Sequence, residues 1–136
     1  MPAYTLNSDT RRQLAQTLQP TRWLVCALCA EWCLTCKAYA APFAALAQRF
    51  PEVDFIWADI EDESDFLQDP EIDNFPTLLI QRGAQTLFFG VTLPESAIAA
   101  RLLENLQAMS EEERAAQALP DALNIFQLLQ ESEAKS

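Results

Sequence analysis

The sequence predicts an α/β domain, with a central mixed, mostly parallel sheet flanked by helices. Three observations carry this. A short, unbroken apolar run at 23–29 and a second, mostly apolar segment at 53–60 have the character of strands buried on both faces. Each is followed by a segment read as a helix, so strands and helices alternate and the connections cross over the sheet. Two later apolar runs flank Gly83, which marks a hairpin and hence an antiparallel edge.

The elements follow in order. Residues 3–6 form a short edge strand, and Asn7 or Ser8 caps a helix that carries Leu14 and Leu18 and stops before Pro20. The first buried strand is Trp-Leu-Val-Cys-Ala-Leu-Cys, at 23–29. A helix runs from Cys33 to about Arg49 with Tyr39, Phe43, Leu46 and Phe50 on one side, kinked by Pro42. After the strand at 53–60, the acidic stretch 62–72 is read as a short helix with Phe66 and Leu67 facing inward. The hairpin strands are 78–81 and 86–89, with Gly83 and Gly90 expected at strand boundaries where positive φ is needed. An amphipathic helix at 95–109 presents Ile98, Leu102, Leu103 and Leu106. Ser110-Glu111-Glu112-Glu113 is a capping box for a further helix, and 120–130 supplies Leu123, Ile125, Phe126 and Leu129. The polar tail from about Glu131 is expected to fray. Residues 1–109 thus form the domain proper, and 110–136 a C-terminal helical extension expected to dock on it.

At 136 residues the chain is one domain by length, able to bury about two-thirds of its unfolded surface. No stretch approaches the roughly 20 apolar residues of a membrane span. The start lacks the basic and apolar regions of a secretory signal, so a cytoplasmic protein is expected. The formal net charge of −11 argues against nucleic acid or an anionic membrane as partner. The charge is uneven: between Arg49 and Arg82 there is no Lys or Arg, while Glu52, Asp54, Asp59, Glu61, Asp62, Glu63, Asp65, Asp69, Glu71 and Asp73 fall there.

All four cysteines lie between positions 26 and 36. In a reducing compartment they are not expected to be structural disulfides, which raises catalytic, redox or metal use. Cys33-Leu34-Thr35-Cys36 follows a buried strand and opens a helix. There the unpaired N–H groups and the helix dipole favour a thiolate at Cys33. Cys36, one turn inward, is placed to attack a mixed disulfide formed on Cys33. Together with Cys26 and Cys29 the spacing also resembles a four-thiolate metal site. Residues three apart in a strand point to opposite faces, and no turn residue separates Cys26 from Cys29, so the expectation is two buried, inert cysteines and no metal.

The stretch Ala30-Glu31-Trp32-Cys33-Leu34-Thr35-Cys36-Lys37 resembles the active site of the thioredoxin family. The likeness extends to Phe75-Pro76-Thr77 with its following apolar strand and to Gly83 and Gly90, over roughly residues 3–108. The resemblance implies the thioredoxin fold and a protein-disulfide oxidoreductase using Cys33 and Cys36. It implies a cis Pro76 beside them, with Trp32, Phe75 and Pro76 forming the substrate contact and Lys37 and Thr77 in support. No dissociable cofactor is implied, since the Cys33–Cys36 disulfide carries the electrons; the implied partners are a protein disulfide and an electron-donating reductase. The chain departs from the family at Ala27 and Trp57, where a buried Asp and a Lys are usual, and at Leu34-Thr35, which replace Gly-Pro. The acidic loop after the strand at 53–60 should flank the site and favour a substrate with a basic surface. The reading from another class is a thioredoxin-fold binding or assembly module that works through the acidic face and the extension.

Overall fold

The computed structural model describes residues 3–17, 19–68, 72–92 and 95–134. Five strands, β1 (Ala3–Thr5), β2 (Trp23–Cys29), β3 (Val53–Asp59), β4 (Thr77–Arg82) and β5 (Gln85–Val91), form one sheet in the order β1-β3-β2-β4-β5. β1, β3 and β2 are parallel; β4 runs antiparallel to both β2 and β5. The helices are α1 (Ser8–Gln16), α2 (Leu34–Arg49), α3 (Ser64–Leu67), α4 (Ser96–Ala108), α5 (Glu111–Gln117) and α6 (Ile125–Ala134).

Strand alternation splits the core in two. Val25, Ala27 and Cys29 of β2 join Val53, Phe55, Leu78 and Ile80 beneath α2 and α4. Leu24, Cys26 and Leu28 point the other way and join Ile56, Leu79, Leu14 of α1, Leu67 of α3 and Ile125 and Leu129 of α6. Both faces are covered, which is why β2 reads as an unbroken apolar run and β3 is apolar from Phe55 to Ala58.

Several local expectations change. Asn7 is the cap of α1, its side chain accepting from the N–H of Asp9 and Thr10; Leu18 lies outside the described residues. α2 runs unbroken through Pro42. Among the described residues the acidic stretch yields the single turn α3, which ends where Gln68 turns left-handed (φ 61°) and its N–H closes back on Asp65 and Ser64. Asp69, Pro70 and Glu71 lie outside the described residues. Gly83 has φ 54°, and a Cβ there would run into the backbone of Pro20, but Gly90 sits within β5, paired with Leu78, without positive φ. α6 begins at Ile125 and continues to Ala134, past the point where fraying was expected, because the wholly buried Ile125 and Leu129 anchor it.

The segment after α4 straps the open edge of the sheet. α5 is capped by Ser110 and Glu113 reciprocally. Its Arg114 is buried over the Trp23 ring, 5.5 Å from guanidinium carbon to centroid, and donates to the carbonyls of Leu106 and Met109 at the end of α4. The chain then passes β5, where the Leu119 N–H donates to Thr86 O (2.8 Å) and the Thr86 hydroxyl to Leu123 O (2.9 Å). Gln81, fully buried in β4, donates to Asn124 Oδ1 (2.7 Å) and accepts from the Ile125 N–H (2.8 Å). α6 thereby crosses to the opposite face and packs on α1.

Candidate functional site

β2 ends at Cys29, and the chain turns through Ala30-Glu31-Trp32 before α2 begins. The Cys33 N–H donates to Ala30 O (3.0 Å), and the Cys33 carbonyl accepts from the Lys37 N–H (3.1 Å), making Cys33 the residue that opens α2. Its side chain is half-buried, while Cys36, one turn on, is only 1% exposed. Cys33 makes no cap hydrogen bond of normal geometry. Its thiol is nevertheless held below the ordinary range, first by the backbone N–H of Cys36, then by the Cys36 thiol and the N–H and hydroxyl of Thr35. Cys36 moves the other way, because burial penalises its charged form. One thiol is therefore exposed and poised to ionise, and the other is buried and protonated.

This gives a measurable consequence. In reduced protein, iodoacetamide labels Cys33 first, and its rate rises through a midpoint below the roughly 8.5 of an ordinary thiol. Cys36 stays unlabelled over the same pH range. A Cys33 midpoint at or above the ordinary value would show that the helix N-terminus contributes nothing.

The Phe75–Pro76 loop forms the neighbouring wall, and its peptide bond is cis. The Trp32 and Phe75 rings meet edge to face at 5.5 Å. Trp32 is 65% exposed, Phe75 half-buried and Pro76 buried. Thr77 is buried and its hydroxyl donates to Asn74 O (2.7 Å), bracing the loop from below. Lys37 is exposed and lines a cavity of about 480 Å³ behind the cysteines. Two residues without a sequence signal of function join this surface: Leu34, 78% exposed between the cysteines, and Val91, 56% exposed and paired with Thr77. An apolar side chain inside a two-residue spacer is not a core position, which was the available hint at Leu34.

The positions where the resemblance led us to expect an Asp and a Lys, Ala27 and Trp57, are direct cross-strand partners. Trp57 packs against Tyr39 (6.4 Å) and Phe43 (5.7 Å), so an aromatic layer stands behind Cys36 where a charged pair would otherwise sit. The acids divide by location. Glu31, Asp59 and Asp62 line the cavity that reaches Cys36. Asp54, at the far end of β3, is gripped by Arg22 through two hydrogen bonds of 2.8 Å, and Glu63 pairs with Arg11. Cys26 faces the α1 side of the sheet and Cys29 the α2 side, as strand alternation requires.

Comparison with known proteins gives a consistent picture. The family described as Thioredoxin matches residues 5–107. A thioredoxin H-type of Brassica oleracea is 25% identical over 99 residues, 73% of this chain and 80% of the relative. A thioredoxin H-type of Picea mariana is 26% identical over 69 residues, 51% of this chain and 55% of the relative, so the match spans about half that protein. Among solved structures, a complex of ferredoxin:thioredoxin reductase with thioredoxin f2 has a similar fold, at TM-score 0.65 and 15% identity, covering 78% of this chain and 96% of that one.

Proposed function

The chain belongs to the thioredoxin family, and on that premise we propose that it is a thiol–disulfide oxidoreductase that reduces protein disulfides by dithiol exchange. One observation carries the reading: a half-exposed Cys33 with a lowered pKa, one helical turn from a buried Cys36, beside the Phe75–Pro76 loop. In the proposed cycle the Cys33 thiolate attacks a substrate disulfide, forming a mixed disulfide and releasing one substrate thiolate. Cys36 then attacks Cys33 Sγ, giving the Cys33–Cys36 disulfide and the second substrate thiol. Trp32, Phe75 and Pro76 form the contact for an extended substrate segment, Thr77 supports that loop, and Lys37 adds positive potential at the first turn of α2. The oxidised pair must be re-reduced by an electron donor, and a reductase of the kind bound to thioredoxin f2 is the partner class this predicts. The reducing direction goes with a cytoplasmic location.

The test is a redox equilibrium of the purified protein in graded thiol/disulfide buffers, with the disulfide located by alkylation and mass. A Cys33–Cys36 couple near about −270 mV fits a reductase, while a value near about −120 to −180 mV would replace the reading with an oxidant or isomerase. Absence of the disulfide at every poise would leave the binding module in its place.

A further inference from the structure

The cycle above uses two cysteines, yet a third touches the pair. Cys29 is the last residue of β2, 2% exposed, on the sheet face that α2 covers. It shares a core cluster with Cys36 and both line the same cavity of about 480 Å³, and each thiol acts on the ionisation of the other. Cys33 packs against the same core cluster and lies within electrostatic reach of Cys29. In the same core cluster the fully buried Tyr39 hydroxyl has no hydrogen-bond partner among the described residues, and burial pushes its pKa up to about 12. Cys26 is on the opposite face and does not line this cavity.

We propose that Cys29 is a third redox-active thiol, which converts the Cys33–Cys36 disulfide into a Cys29–Cys36 disulfide and releases Cys33. This goes beyond the dithiol cycle and borrows from it only the starting disulfide. The Cys29 sulfur attacks Cys36 Sγ, the Cys33–Cys36 bond breaks as the Cys29–Cys36 bond forms, and Cys33 leaves as a thiolate. The Cys29 proton passes to solvent by way of the cavity. No electrons are gained or lost, so no further oxidant is needed. Chemistry favours this direction. The thiol of lower pKa is the better leaving group, and Cys33 is lowered while burial raises Cys29. The neutral disulfide also ends in the buried, apolar position, and the charged thiolate at the helix N-terminus. The product is an oxidised protein with a free surface nucleophile and no available Cys36. In that state Cys33 holds a partner as a lasting mixed disulfide instead of releasing it.

The sequence offers a clean readout. Trypsin leaves all four cysteines on residues 23–37, and cleavage after Glu31 divides them two and two. After acid quench, unfolding and double digestion, a Cys33–Cys36 disulfide leaves peptides 23–31 and 32–37 separate, whereas Cys29–Cys36 holds them together. In Cys33→Ser protein treated with oxidised glutathione, the expected result is the joined pair, lost on reduction. Peptides that stay separate, with Cys36 free or glutathionylated, would overturn the proposal. In the two-electron-oxidised wild type, the joined pair is expected with Cys33 alkylated, and Cys29→Ala abolishes that species. Cys29→Ser must abolish it too, which guards against a folding defect in the alanine variant. If the wild type gives only separate peptides containing an intact Cys33–Cys36 disulfide, the isomerisation is wrong and the reductase reading stands. If it gives neither disulfide, both fail.

Discussion

Replacing Cys33 with serine lowers protein-disulfide reduction by about a thousandfold or more, equivalent to roughly 4 kcal/mol of transition-state stabilisation. A serine hydroxyl is not ionised at neutral pH, so the N–H groups of Thr35 and Cys36 have no anion to stabilise and the first bond is not made. Cys36→Ser gives a different signature. The attack by Cys33 is intact, but resolution is missing, so a one-to-one mixed disulfide with substrate accumulates and is visible by mass. Insulin reduction followed by turbidity, with dithiothreitol as electron source, separates the two variants. If Cys33→Ser kept more than a tenth of wild-type activity, the assignment of Cys33 as nucleophile would be abandoned.

The second large effect is on stability and falls far from the cysteines. Asn124→Ala is expected to destabilise the protein by about 3 kcal/mol. The Asn124 side chain caps α6 by accepting from the Gln127 N–H (3.0 Å), a role worth about 1 kcal/mol. It also accepts from Gln81 Nε2 (2.7 Å) and donates to Ala84 O. Gln81 is fully buried, and stranding its amide costs about 1–3 kcal/mol more. For a chain of this size the melting temperature should fall by about 10 °C. Asn124→Asp keeps both acceptor roles but turns a carboxylate oxygen toward Ala84 O in place of the amide donor, so it should recover only part of the loss, while Gln127→Ala, at an exposed position, should stay within about 0.5 kcal/mol. A loss under about 1 kcal/mol for Asn124→Ala would mean that the strap is held by its apolar anchors alone.

The contrast between these two sites explains what the sequence could disclose. β2 was legible residue for residue because a strand buried on both faces has no polar position to blur its ends. The cysteine pair was legible because its chemistry is local: two thiols, two residues apart, at a helix start. Gln81 looked like the end of an apolar run, since its partners in the strap, Asn124 and Ile125, lie more than forty residues away and leave no periodic trace. Gly90 was misplaced because a glycine inside a strand reads like one that ends it. The acidic stretch was over-read as a longer helix: Gln68, not a glycine or proline, ends it. Strand parity did separate Cys26 from Cys29, but which of the two would lie under α2 depended on how α2 folds back across the sheet.

The strap also sets a sequence of events during synthesis. Every residue of the redox site precedes α4, so the cysteines, the Phe75–Pro76 loop and all five strands emerge from the ribosome before α5 and α6 do. Until α6 arrives, the face that carries Leu24, Cys26, Leu28 and Ile56 has only α1 and the single turn α3 to cover it. Cys26, sealed in the finished protein, should be open to thiol reagents in a nascent chain that has not yet released α6. The last helix therefore closes the window in which this cysteine-rich strand can be oxidised in the wrong place.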